Sequence, residues 1–386
     1  MAPHGKTFFR EEPGFSLIEL MIYLAILGIL MTMVFVSFIR VTQTSSQQSR
    51  IADTKLETGV GLDLLRADLE HAGFGLPWEF QNTGPNPYWE PADPAPPGAP
   101  AALADVPDIP RAVSSEDNSA FSLNGSDYLA IKGLNVVRGV ESQKWGLVGR
   151  DAFHFVSIQS MAADAFASTD RVIVVRPQVT PGEFRQLVMD GTNYFAHWTT
   201  ADLAPYAPPE TANDPIGEKY LVYGIDKSDP RRPFNRTDYY INDANVPRGC
   251  APNTGVLVKA TLNQANDNFL IMPIVDCVAD FQVVYHLDTD GDGAEDTIVN
   301  ASNLPASAED IRNQVKSIRC YVLTHEGGID NTYTHPNANI NVGEVDVDGT
   351  TLLAGRVFPI STTIGSNWAN YRWKVYSLAV TPRNLK

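Results

Sequence analysis

Positive charge is scarce in this chain: 29 lysines and arginines stand against 45 aspartates and glutamates, a formal net charge of −16 over 386 residues. That balance excludes a nucleic-acid partner, because neutralising phosphates needs a concentrated basic surface. The acidic excess serves solvation and can attract cations. Cysteine is scarce too. Cys250, Cys277 and Cys320 form no CxxC and no Cys/His cluster at zinc spacing. The seven histidines show no HxxxH or HxH, and His286 and His325, on candidate strands, read as surface or packed residues. There is no Gly-x-Ser-x-Gly, no P-loop and no dinucleotide glycine fingerprint, and the serines and acids form no recognisable catalytic set. The chain therefore reads as a non-enzyme. It has no internal repeat, and no proline lies between Phe15 and Gly75. Elsewhere 27 prolines and 28 glycines indicate many turns rather than a helical bundle.

The one long apolar run is at the N-terminus. Phe15 to Ile39 contains a single charge, Glu19, and is long enough to cross a bilayer as a helix. A secretory signal would have a shorter apolar core with its cleavage site after it. Here the processing point, Gly14–Phe15, lies before the run. Lys6 and Arg10 are balanced by Glu11 and Glu12, so basic residues orient the helix only weakly. A carboxylate inside an apolar segment is expensive, so Glu19 either snorkels to the membrane surface or is paired with the amine freed when the bond before Phe15 is cut.

From Arg40 the pattern becomes amphipathic. Ile51, Leu56, Val60, Leu64, Leu65 and Leu69 mark one stripe, and Gly73, Gly75 and Pro77 end the helix. A continuous helix from Phe15 to about Ala72 is roughly 85 Å long at about 1.5 Å per residue, with Gly59 and Gly61 able to bend it. Residues 77–118 are rich in Asn-Pro, Glu-Pro, Asp-Pro and Pro-Pro steps and read as a long irregular connection. Beyond Ala120, short extended runs dominate, among them 127–132, 171–175, 220–223, 256–262, 281–287, 315–324 and 373–380, which indicates mainly antiparallel sheet. A short helix is expected at Ala308–Val315, capped by Ser307 with Asp310 three residues on.

Gly14-Phe15-Ser16-Leu17-Ile18-Glu19-Leu20 resembles the start of type IV pilins, the class III signal peptides. The resemblance implies that a prepilin peptidase cuts after Gly14 and methylates Phe15, and that Glu19 helps dock the helix into a growing filament. Many major pilins carry a mid-helix proline, which this chain lacks. Leu65-Arg66-Ala67-Asp68-Leu69 with Ala72-Gly73-Phe74-Gly75, and Val278-Ala279-Asp280-Phe281-Gln282-Val283-Val284-Tyr285 before an acidic turn, resemble the PilW family of minor pilins, as does the Pro382-Arg383-Asn384 end. Residues 77–250 match no named family. The fold this implies is α+β and pilin-like, a transmembrane plus amphipathic N-terminal helix packed on a mainly antiparallel domain. Its expected divisions are a leader (1–14), the pilin helix (15–75, with 15–39 in the membrane), the proline-rich connection (76–118) and a periplasmic β-rich domain (119–386). The implied function is pilus assembly or initiation in a tip complex with other minor and major pilins, served by prepilin peptidase and an inner-membrane assembly platform. A minor pseudopilin of type II secretion and a tip adhesin are the alternatives.

A periplasmic domain permits oxidation. Cys250 and Cys277 bracket a candidate hairpin and are the expected disulfide, leaving Cys320 free. Asp288, Asp290 and Asp292 occupy positions 1, 3 and 5 of a calcium loop, with Gly293 at the sharp turn, the Ala294 carbonyl next and Asp296 at position 9. Position 12 is Val299 rather than glutamate, so the expectation is a DxDxDG loop between strands holding one Ca²⁺ structurally. Glu344-Val-Asp346-Val-Asp348-Gly349 reads as a solvated strand face and hairpin turn.

Overall fold

The computed structural model describes Gly14, residues 16–80, Tyr88, Glu90, 103–105, 109–161, 163, 165–177, 185–210 and 218–385. The chain divides into two compact units, Met1–Ala52 and Asp53–Lys386. Helix α1 (Leu17–Glu70) runs unbroken from the first into the second. In the first unit its apolar side chains from Leu17 to Val41 are exposed, and this is the one described helix long and apolar enough to span a membrane.

The second unit is built from strands β1 (Glu79–Phe80), β2 (Val113–Glu116), β3 (Tyr128–Gly133), β4 (Trp145–Arg150), β5 (Val156–Ser160), β6 (Arg171–Arg176), β7 (Gln186–Leu187), β8 (Ala196–His197), β9 (Tyr220–Asp226) and β10 (Asn235–Asn242). There follow β11 (Gly255–Leu262), β12 (Phe269–Leu287), β13 (Thr297–Asn300), helix α2 (Ala308–Gln314), β14 (Val315–Glu326), β15 (Ile340–Val345), β16 (Leu352–Phe358), the single turn α3 (Ile360–Thr363) and β17 (Arg372–Val380). One sheet has the order β1-β7-β6-β9-β4-β5, with β8 on β6. The second runs β17-β14-β12-β11-β10-β3-β2, with β13 on β12, and β15-β16 form a separate ribbon. Among the described strands only β1 and β7 pair in parallel. The protein is α+β with mainly antiparallel sheets, as the alternating apolar runs imply. Ser307 caps α2 by accepting from the Asp310 amide at 3.0 Å.

Side chains alternate across a strand, and the second sheet is buried on both faces. Ile318, Cys320 and Val322 of β14 join the cluster beneath α1, whereas Tyr321 and Leu323 join Val342, Ala354 and Phe358 of the β15–β16 ribbon. The α1 contribution is Leu62, Leu65 and Leu69, each worth about 1.5–3 kcal/mol on burial. The expected stripe is thus corrected. Leu56 and Val60 are 70% and 64% exposed, and the inward face is Thr58, Gly61, Leu62, Leu65, Asp68 and Leu69. Gly61 explains the rotation. A Cβ there would lie 2.1 Å from the Ile274 carbonyl oxygen of β12, so helix and strand touch backbone to backbone. Gly61 therefore permits close approach of helix and strand. After Glu70 the chain turns through Gly73 (φ +78), whose amide donates to the Lys132 carbonyl at 2.8 Å.

Candidate functional site

The candidate site begins at the N-terminal segment. Gly14 and Glu19 are exposed, with Glu19 in the first turn of α1. Phe15 and residues 1–13 of the expected leader lie outside the described residues.

Where α1 meets the sheet, a polar contact lies inside the apolar cluster. Tyr239 of β10 and Lys259 of β11 are register partners, and both reach Asp68 of α1. The Tyr239 hydroxyl donates to Asp68 Oδ2 at 2.6 Å, and Lys259 Nζ donates to the same oxygen and to the Val136 carbonyl at 3.2 Å. Burial raises the Asp68 carboxyl above its ordinary value, and Lys259 and Tyr239 offset part of that rise. One aspartate thereby fixes both the rotation and the axial position of the helix.

The opposite face of the sheet carries a second ionic cluster. Lys132 of β3 and Arg236 of β10 are register partners of like charge, and both are fully buried. Glu90, from the proline-rich connection, lies between them. It accepts from Arg236 Nη1 at 2.7 Å and from Lys132 Nζ at 3.0 Å. Asp105 also pairs with Lys132 and, at 2.5 Å, with Arg111. Asp238 holds Arg236 through two bonds of 2.8 Å. Burial alone would raise the Glu90 carboxyl, but Lys132 and Arg236 hold it down at about 2. The expected irregular connection is thus pinned, where described, by Tyr88, Glu90, Leu103 and Asp105, all buried.

The ribbon is fastened by Arg356 of β16. Its guanidinium bonds buried Asp280 at 2.6 and 3.0 Å and the Gly125 carbonyl at 2.7 Å. Glu344 of β15, expected on a solvated face, points inward instead. It accepts from Arg319 at 2.6 Å and pairs with the Tyr321 hydroxyl. The acids at Asp346 and Asp348 belong to the ribbon's turn.

Cys250 and Cys277 are joined in a disulfide, and Cys320 is free and buried, where burial pushes its thiol well up. The bridge ties the β10–β11 connection to a bulge in β12, where Cys277 has φ +58 and Thr324 Oγ1 donates to the Asp276 and Cys277 carbonyls at 3.0 Å. His325 lies beside the sulfurs with both ring nitrogens engaged, by the Ala251 amide and the Gly327 carbonyl. Burial lowers its pKa to about 4, which keeps it neutral.

In the acidic loop the carboxylates of Asp288, Asp290 and Asp296 converge within 4.8 Å, while Asp292 and Ala294 are not part of that group. Asp288 accepts from the Gly291 and Gly293 amides at 2.7 and 2.9 Å and pairs with Lys316 at 3.1 Å. Asp296 accepts from the Thr289 amide at 2.8 Å. Asp292 accepts from the Ala294 amide at 2.8 Å. Val299, at position 12, packs on the core from β13. The buried charges Asp68, Lys259, Glu90, Lys132 and Arg236 went unread in the sequence. Their only signal was a charge inside an otherwise apolar strand, as at Lys132 in YLAIKG and Lys259 in GVLVKATL.

An exposed apolar helix opening on Gly14 and Glu19, followed by a mainly antiparallel domain, is the build of a membrane-anchored type IV pilin. A family model described as prokaryotic N-terminal methylation motif matches residues 10–35, and one described as type IV pilus-assembly protein W matches residues 222–384. The two matches liken the chain to type IV pilins and support a PilW-like minor pilin. No curated protein and no solved structure matches it.

Proposed function

We propose that this chain is a minor pilin that takes part in pilus assembly and initiation, in a tip complex with other minor and major pilins, and has no catalytic role. In this reading prepilin peptidase processes it at Gly14–Phe15 and an inner-membrane platform loads it into the fibre. Its domain is periplasmic before assembly and surface-displayed afterwards. The observation that carries the reading is the exposed apolar length of α1 with one acid, Glu19, in its first turn. An ion isolated in hydrocarbon costs roughly 2.5–3.5 kcal/mol on insertion scales, so a partner amine is expected for it. Two substitutions separate processing from docking. Mass spectrometry of membrane-purified protein is expected to find methylated Phe15 at the N-terminus, with Gly14→Ala left uncut. Glu19→Ala is expected to insert and be cleaved yet stay out of the pilus. A mature terminus elsewhere would overturn the reading, and normal incorporation of Glu19→Ala would reduce Glu19 to an incidental polar residue.

We also propose that the 288–296 loop takes one structural Ca²⁺. Three convergent carboxylates suit a hard cation that prefers oxygen ligands. Lys316 at Asp288 competes for the same charge, and Val299 supplies no ligand, so affinity falls in the range of extracellular modules, about 10⁻⁴–10⁻³ M. Binding to the folded form alone adds about 2.7 kcal/mol at one hundred times the dissociation constant. The melting midpoint of the detergent-solubilised chain is expected to rise with calcium and fall with chelator, with Lys316→Ala shifting the response to lower calcium. An unchanged midpoint, or Asp290→Ala responding like the parent, would leave an ordinary acidic turn.

A further inference from the structure

Among the described strands the first sheet ends on β5, which pairs with β4 alone. The other terminal strands of the two large sheets are short or charged. Two-residue β1 and four-residue β2 each contain a glutamate, and β17 carries Arg372 and Lys374. Such features keep an exposed edge from pairing with foreign strands. By contrast β5 reads Val-Ser-Ile-Gln-Ser, with neither charge nor proline.

Hydrogen bonding alternates along an antiparallel pair. The Asp151 amide donates to the Phe155 carbonyl at 2.9 Å, and the Met161 amide donates to the Trp145 carbonyl at 3.0 Å. Phe155, Ser157, Gln159 and Met161 therefore direct their backbone groups to β4. Val156, Ile158 and Ser160 direct theirs to the free edge, where no described residue bonds them.

The hairpin tip beside this edge is rigidly built. Asp151 Oδ1 accepts from the Phe153 and Phe155 amides at 2.9 Å. Arg150 bonds the Pro208 and His154 carbonyls at 2.9 and 3.1 Å. His154, at φ +68, faces Glu210 at 3.2 Å. This turn presents Phe153 and Phe155 to solvent at 76% and 70% exposure, while half-exposed Met161 and Trp145 flank the far end. Two large aromatics two residues apart are thus held out to solvent by the turn.

We propose that the β5 edge accepts an extended, uncharged segment of a partner protein by strand addition, with Phe153 and Phe155 anchoring one end. Main-chain bonds supply affinity in this mode and side-chain pockets supply selectivity. Charge complementarity selects the occupant. Arg150, Asp151, His154 and Glu210 are all engaged in local contacts, so an acidic segment finds no free counter-ion among them on a chain of net charge −16. A second copy brings the same −16, which disfavours it as the occupant. Residues 145–161 lie outside both matched stretches, and the proposal holds whichever step of pilus assembly the chain serves.

The test is hydrogen exchange on the detergent-solubilised chain with a short, end-capped peptide of alternating valine and threonine. At saturation the amides of Val156, Ile158 and Ser160 are expected to slow about tenfold or more, and those of Ser157 and Gln159 less, since β4 already bonds them. Ile158→Pro removes one outward donor without touching the β4 ladder and is expected to weaken binding about tenfold. The double variant F153A/F155A, which spares the backbone, is expected to do the same. No slowing at the three amides, or undiminished binding in both variants, would overturn the proposal. Slowing without peptide that grows with protein concentration would overturn it in favour of a second copy.

Discussion

Replacing Asp68 by leucine is expected to lower stability by about 3–5 kcal/mol, because Lys259 is left buried with no carboxylate to balance it. The Val136 carbonyl still accepts one Lys259 bond, but a carbonyl does not neutralise an ammonium. The Tyr239 hydroxyl loses its acceptor at the same time, which adds about 1–3 kcal/mol if it stays buried and unpaired. Urea unfolding of the solubilised chain, followed by tryptophan fluorescence, measures the loss. A companion variant carrying Asp68→Leu, Lys259→Met and Tyr239→Phe is expected to regain most of it, since apolar groups of similar volume can replace a buried pair at little net cost. If the single and triple variants unfold at the same urea concentration, the three groups are not acting as a unit.

Glu90→Leu is expected to have an effect of similar size on the other face of the sheet. Lys132 keeps Asp105 and Arg236 keeps Asp238, but the two cations then face each other across β3 and β10 with no anion between them. Removing one member of such a buried set costs about 3–5 kcal/mol. The same residue gives a pH signature. Its carboxyl is held at about 2 in the folded chain, below its ordinary 4.5. The unfolded chain therefore takes up the proton first. Its stabilisation is fully present above about pH 4.5 and is lost as pH falls through about 2, a total of roughly 3 kcal/mol at 1.36 kcal/mol per unit. Urea midpoints measured from about pH 5 downward should fall steeply in the parent and less steeply in Glu90→Leu. Parallel curves would mean that the Glu90 carboxyl titrates alike in the folded and unfolded chain.

Both residues act through contacts distant in sequence. Asp68 meets a lysine 191 positions away and Glu90 an arginine 146 positions away. Neither pairing has a local signature. Helix periodicity suggested a stripe through Leu56 and Val60, yet Gly61 sits where only a hydrogen fits against Ile274 and turns those two outward. Glu344 looked solvated because acids alternate along its strand. It points inward because Arg319 and Tyr321, on β14, need an anion there.

By itself the sequence determined whatever depends on short-range chemistry. An apolar run with one acid behind a glycine–phenylalanine bond specifies the anchor. Alternating apolar runs specify antiparallel strands, Ser307 specifies the start of α2, and aspartates at every second position specify the tight acidic loop. These features need only neighbouring residues, because backbone geometry repeats every two or 3.6 residues. Tertiary structure alone decided which sheet each strand joins, which helix face turns inward and which buried charges meet. Strand order and ion pairing depend on what lies across a sheet, where desolvation makes an unpaired charge intolerable and a matched one nearly free. The edge of β5, which no described strand covers, belongs to the same category, since a strand shows no sign in its own residues of whether a neighbour lies beside it.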